Sequence, residues 1–453
     1  MKLLALTAGI VATLAFASPA TAAPQQLTYR YGPISLSPFE VDQNTILGNV
    51  PKPNVDGFIT GMDVDVVDRD GNKVSPSHVM LHHVVFLNLG QPGKLGQHRD
   101  WTCNVFTSLN SSLKVPALAD RFYASGEERN KLTLPDGYGY PVKADDNWVL
   151  LWMLMSHHPV ADQVYLEYKI TYETSRPLTP TYMVWLDVEN CLQDPVFDVP
   201  GGGAPGSTYS RSVTWTAPMS GRIVAGGGHL HGGGKNTVLS HPDCGDRALY
   251  VSRPLYGLPN DPVYLARPVM HEPGPINMSG FLSQQGLPLA KGQKLKLTAN
   301  YDNRYPHTRV MGIFGVYFAP DPAVTDGCAQ PPATQDYASN APGRPDPPRF
   351  KVPLARKPVG RVRKLRSGAT IDVSDFQFTP ERVRVRLGST LRWRFAGSSL
   401  HDLTVASGPR GFSSANMNGD RVYRKKLKVP GTYRLYCTLH PTKMVEEIRV
   451  TRR

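Results

Sequence analysis

Long apolar runs are nearly missing from this 453-residue chain. One opens it, in MKLLALTAGIVATLAFASPATAAPQQ, and no later stretch is apolar for long enough to cross a bilayer. Amphipathic patterns of helical period are scarce, and no internal repeat is visible. Clusters that interleave basic and aromatic side chains are few, which argues against a nucleic-acid partner. Cysteines number only five, too few for a small disulfide-framed fold.

What is present reads as an exported β protein. Lys2, the apolar run and the small-residue pattern Ala20-Thr21-Ala22 form a leader over residues 1–22, cleaved near Ala22 or Ala23. The mature chain is then secreted or periplasmic. Short alternating runs such as VYLEYKITYE and KLKLTANY recur, and Gly and Pro stand at 41 each, which argues for an all-β fold of two to four domains. Proline is dense between about Ala319 and Arg366 and no hydrophobic period survives there, so 321–365 reads as an extended, basic linker. It separates a large module from a domain at 366–453. TYETSRPLTPTYMVW reads as a seam that divides the large module into sandwiches at 24–185 and 186–320.

Charge is uneven. Of 50 Lys+Arg and 37 Asp+Glu, 20 and 7 lie from Arg361 onward, which leaves 30 of each before it. The basic character belongs to the last domain alone and suits an anionic surface or an acidic protein partner.

The last domain carries a distinctive donor set. YCTLHPTKM places Cys437, His440 and Met444 just after an alternating strand, and GSSLHDLTV supplies His401. Thiolate, imidazole and thioether are soft or borderline donors, suited to copper. In GTYRLYC, Tyr433, Leu435 and Cys437 share one strand face, which turns the sulfur inward. RVRVRLG and TLRWRF alternate likewise, with Val383, Val385, Leu387, Leu391, Trp393 and Phe395 toward a core and arginines toward solvent. If Cys437 is a ligand, Cys103, Cys191, Cys244 and Cys328 remain for disulfides, with three pairings open.

With FTPERVRVRLGSTLRW, LHDLTV and VPGTYRLYCTLHPTKM in order, this domain resembles the cupredoxins. The resemblance implies a Greek-key β-sandwich with a type 1 copper held equatorially by His401, Cys437 and His440 and axially by Met444. Such a centre carries electrons and leaves no position open for substrate.

Four places stand out in the large module. VMLHHVVFLN sets His82 beside His83 on an apolar strand, and LLWMLMSHHPV ends another in His157 and His158. GGGHLHGGG gives His229 and His231 on one side of a strand, and PHTRVMGIFGVYF offers Met311 with His307 before it. In that order, over roughly residues 40 to 320, the module resembles the ascorbate-dependent copper monooxygenases, the family of the peptidylglycine and dopamine β-hydroxylating enzymes. HLHGGG, PLYG and HTRVMGIFGVYF also resemble the plant stress-up-regulated nodulin family.

The resemblance implies two jelly-roll β-sandwiches and two coppers. His82, His83 and His157 would hold the electron-storing one, with His158 in reserve for His157. His229, His231 and Met311 would form the catalytic site that meets O₂, and His307 would stand behind it or replace a ligand. A small-molecule or peptide substrate would be hydroxylated at a C–H bond, with electrons from ascorbate or a redox protein. Where the peptidylglycine enzymes anchor substrate with an arginine, this chain has Gly227, so its pocket differs. The fused cupredoxin then feeds the coppers, since a tether raises the local concentration of donor. The alternative is a non-catalytic copper-binding or electron-transfer protein whose large module is a scaffold.

Overall fold

The computed structural model describes residues 23–90, 120–190, 195–374 and 376–452. The leader at 1–22, Cys103 and Cys191 lie outside the described residues. Among the described residues the chain is all-β, arranged as three two-sheet sandwiches in sequence order.

The first sandwich shows why alternation makes a half-buried strand. In Asp162–Glu173, Val164, Leu166, Tyr168, Ile170 and Tyr172 are buried, while Glu167 and Lys169 point out. That strand lies between Gln25–Leu36 and Gly57–Val67, and the sheet continues to Tyr138–Val142. The opposing sheet runs Val41–Leu47, Trp148–Ser156, Val79–Asn88, Asp120–Gly126. Its central strands are apolar on both faces because the second sandwich covers the outer one.

The second sandwich pairs Tyr182–Asp187, Gly312–Pro320, Gly221–Leu230 and Gly280–Leu289 in one sheet. Thr208–Thr216, Lys294–Asp302, Gly234–His241 and Arg247–Ser252 form the other. Tyr182–Asp187 thus belongs here, and the seam falls before Tyr182 and not at 185. The turn-forming residues marked the break, but the strand after them bonds forward to Gly312–Pro320. Met183, Val224, Ala225 and Tyr317 join the first sandwich's core, and Tyr317 donates to the Phe122 carbonyl at 2.9 Å. The two sandwiches therefore share buried surface.

The third sandwich packs Ile371, Val383, Val385, Leu391, Trp393, Phe395, Tyr433, Leu435 and Cys437 in one core. Leu387 departs from the expected inward face and is exposed. The strand Arg382–Arg386 has ended there, and Gly388 turns the chain at φ +84°. The arginines between the core positions face solvent or lie half-buried.

The proline-dense stretch before this sandwich is extended, and it is also anchored. A disulfide joins Cys244 to Cys328, one of the bonds the sequence left open. Gln335–Tyr337 pairs with the edge of the second sandwich, and Tyr256 and Arg344 exchange backbone hydrogen bonds at 2.8 Å. Val352 packs on Tyr436 and Val445, and the Arg356 guanidinium grips Glu381 and the Lys443 carbonyl. No hydrophobic period signals this, since the anchors are single residues and one three-residue strand.

Candidate metal centres

In the third sandwich three of the four expected donors, His401, Cys437 and His440, converge. His401 follows the loop after Thr390–Phe395 and bonds through its backbone to Met417, while Cys437 and His440 flank the turn after Gly431–Tyr436. His401 Nδ1 lies 3.2 Å from His440 Nδ1, and Cys437 Sγ lies 3.6 Å from His440 Nδ1. Those are the separations two donors adopt when each stands about 2.0–2.3 Å from one near-tetrahedral ion. Met444 is fully buried in the same core, and its carbonyl accepts from the Cys437 amide at 3.2 Å.

Asp402 braces the cluster. Its amide donates to Cys437 Sγ at 3.4 Å, and its carboxylate accepts from Thr404 Oγ1 at 2.6 Å and from Thr438 at 2.6 and 2.9 Å. Burial, then the Asp402 charge, pushes the Cys437 thiol well up, so the thiolate needs a cation beside it. Burial, then His401, holds His440 down at about 4, which keeps the imidazole neutral and its lone pair free. The residues present fit a metal.

The second gathering lies between the first two sandwiches. His82 occupies a bulge in Val79–Asn88, because Leu81 pairs with Leu154 while His83 pairs with Met153. Regular alternation would turn neighbouring side chains to opposite faces, and the extra residue re-aims His82. The two Nδ1 atoms stand 3.2 Å apart, again the spacing of two ligands on one ion. His229 and His231 come from the end of Gly221–Leu230, with ring centroids 5.1 Å apart. The His231 ring lies 5.2 Å from His82, edge to face. The two pairs expected on separate coppers thus lie side by side across the junction.

Close approach of the two sandwiches requires Gly126. A Cβ there would stand 2.6 Å from Glu128 Oε2 and 2.9 Å from His229 Cε1. Glu128 Oε1 accepts from His229 Nδ1 at 3.0 Å, which leaves Nε2 as that ring's ligand atom. Burial works against a proton on His229, but Glu128 outweighs it and raises the ring above its ordinary value. His83 is held at about 4 by burial, then His229, and burial carries His231 well below its usual range.

His157 does not join His82 and His83 in a three-donor group. Its Nδ1 donates to the Pro268 carbonyl at 2.9 Å, and its buried Nε2 has no hydrogen-bond partner. His158 stacks on His78 at 4.2 Å and groups with Asp162 instead. His307 Nδ1 bonds to Glu272 at 2.7 Å, and its buried Nε2 has no hydrogen-bond partner. Met311 borders both cavities at this junction, its carbonyl held by the Tyr301 hydroxyl.

Sequence reasoning missed Glu127, Glu128 and His271. Glu127 Oε1 lies 2.5 Å from His271 Nε2 and 3.7 Å from His82 Nε2. The first two residues follow a strand end and the third sits in a loop, so no period marks them. The one trace is the His271-Glu272 pair set between Pro268 and Pro273.

A cavity of about 670 Å³ opens beside this cluster. His83, His229 and Met311 line one side, and Leu400, Asn416 and Leu439 of the third sandwich line another. Gly227 also borders it, with nothing within 3.7 Å of where a Cβ would stand. The third sandwich is seated by polar bonds. Asp198 accepts from Ser413 at 2.7 and 2.9 Å and from the Arg309 amide at 3.2 Å. The Arg309 side chain donates to the Ser414 carbonyl at 3.0 Å and to Asn416 Oδ1 at 3.3 Å.

No family model matches this chain, and no curated protein does. Among solved structures it is similar to variants of amicyanin. A reduced variant is 23% identical, with 18% of this chain and 83% of that chain covered and a TM-score of 0.18. A variant in the Cu(I) form is 22% identical, with 19% and 86% covered and a TM-score of 0.18.

Proposed function

We propose that the protein is an exported copper-dependent monooxygenase with its own electron carrier attached. Its reaction is hydroxylation of a C–H bond in a small-molecule or peptide substrate, with O₂ and with electrons from ascorbate or a redox protein. His401, Cys437, His440 and Met444 would hold a type 1 copper. His229, His231 and Met311 would hold the copper that meets O₂, and His82 and His83 would hold a third. His157 would bring its Nε2 to that third set, since the Pro268 carbonyl holds Nδ1 and leaves Nε2 without a partner. When bound, copper supplies one-electron exchange and oxygen activation.

The observation that carries this reading is the shared cavity. Leu400 and Leu439, neighbours in sequence of His401 and His440, face the same space as His83, His229 and Met311. A carrier alone has no need to present its ligand end to two more histidines and a methionine. The protein's own residues do the rest. Glu128 fixes the His229 ring, Tyr301 fixes the Met311 backbone, and the apposed sandwiches shield the site from water. Gly227 leaves room in the cavity where an arginine would fill it, so the substrate is not anchored there by a cation. Exposed Arg384, Arg386 and Arg394 on the third sandwich give an acidic electron donor or an anionic surface a place to dock.

The test is copper per chain together with oxygen uptake. Full-length mature protein, loaded and freed of loose metal, should retain about three coppers. With ascorbate it should consume O₂ above the rate of free copper. His229→Ala and Met311→Ala should abolish that uptake and keep the blue colour. One copper per chain and no uptake would leave a carrier on a scaffold.

A further inference from the structure

His82 presents a ring nitrogen to each of two donor groups. Nδ1 faces His83 at 3.2 Å, and Nε2 faces Glu127 at 3.7 Å. On the Nε2 side, one ligand atom each from His82, Glu127 and His271 falls within 4.8 Å of the others. Ligands about 2.0–2.2 Å from a common ion stand no more than about 4.4 Å apart, a limit the His82–Glu127 pair already meets. The 2.5 Å hydrogen bond between Glu127 and His271 opens slightly when an ion takes the proton's place. His82 is only 9% exposed, and the side chains of Glu127 and His271 are 9% and 14% exposed. The carboxylate is also fixed from behind, since the Gly274 amide donates to its Oε2 at 2.8 Å. That anchor leaves Oε1 toward the two imidazoles, in the manner of a ligand braced by the backbone.

The origin of the three residues gives the group its meaning. His82 and Glu127 come from the first sandwich, and His271 comes from the loop between Pro262–Leu265 and Asn277–Met278 of the second. We infer that His82, Glu127 and His271 form a divalent-metal site that staples the first sandwich to the second. Two imidazoles and one carboxylate suit a borderline first-row ion such as zinc(II) or copper(II). His82 then bridges this ion and the copper held through its Nδ1. The site lies beyond the ligand sets of the proposed oxygenase, and only His82 is common to both.

Zinc is the probe. Full-length protein is loaded with copper, incubated with Zn²⁺, freed of loose metal and crystallised, and anomalous maps are collected at the zinc and copper edges. The expected result is a zinc peak beside His82 Nε2, Glu127 Oε1 and His271 Nε2, with one zinc retained per chain. His271→Ala and Glu127→Gln should each lose that zinc, while the blue colour of the third sandwich reports that the chain has folded. Zinc should also raise the melting temperature of the wild type and not that of either variant.

A map with no zinc beside Nε2, or zinc retention unchanged in both variants, overturns the inference. A copper peak at Nδ1 without zinc at Nε2 overturns it and leaves the oxygenase reading intact. A zinc peak at Nε2 without copper at Nδ1 supports the staple and removes the third copper from the oxygenase reading.

Discussion

The two gatherings of donors are built on opposite plans. In the third sandwich His401, Cys437, His440 and Met444 stand at one end of a single fold, around one core, with Asp402 bracing the loops. Between the first two sandwiches, His82 and His83 come from one body and His229, His231 and His271 from another. A site inside one fold exists as soon as that fold does. A site between two folds exists only while they are closed, so its ligand set also reports on their docking.

The largest expected effect tests whether the two gatherings are independent. Cys437→Ala should remove the blue colour completely and lower copper by one per chain, while metal at the His82–His231 cluster is unchanged. Metal analysis beside the visible spectrum reads both. Loss of metal from the cluster as well would mean that the third sandwich holds the first two closed.

A smaller effect concerns the seat between them. Arg309→Ala removes two charge-assisted hydrogen bonds to the third sandwich, each worth about 1.5–3 kcal/mol. In protein loaded with copper as proposed, flash reduction of the third sandwich should be followed by slower electron arrival at the His82–His231 cluster, while both gatherings keep their metal. An unchanged transfer rate would show that Asp198 and the anchored proline-rich stretch suffice to hold the seat.

The smallest effect is a pH dependence in that stretch. Burial raises Glu381, but the Arg356 fork and the Val359 amide outweigh it and hold the carboxyl below its ordinary value. A depressed acid stabilises the folded state above its unfolded pKa and loses that contribution as pH falls through the folded one. Glu381→Gln should therefore cost about 1 kcal/mol at pH 7 and nothing once the pH is below the folded pKa. Thermal melts at both ends of that range check the sign. An equal cost at low pH would assign the loss to packing.

The contrast also explains what could be read from the sequence. Three of the third sandwich's donors lie between Cys437 and Met444, and alternation in GTYRLYC already aims the sulfur inward. Leu387 went astray because its strand stops one residue earlier, a fact carried by the turn and not by the period. For the first two sandwiches the individual histidines were legible and their meeting was not. Glu127 and His271 lie 144 residues apart and become neighbours only when one sandwich closes on the other. His157 was placed by its likeness to a family strand, while the carbonyl that holds its ring belongs to a distant loop.

The bulge at His82 has a consequence for how such chains are compared. Pairing of Leu81 with Leu154 and His83 with Met153 means that one residue of surplus length sets the facing of the neighbouring histidines. Shortening Val79–Asn88 by one apolar residue would keep every ligand type in order along the chain and yet send the pair to opposite faces. A descendant with that deletion would look intact to any comparison of residue identities and would have lost the site. Inheritance of this centre is therefore a matter of counting as much as of chemistry.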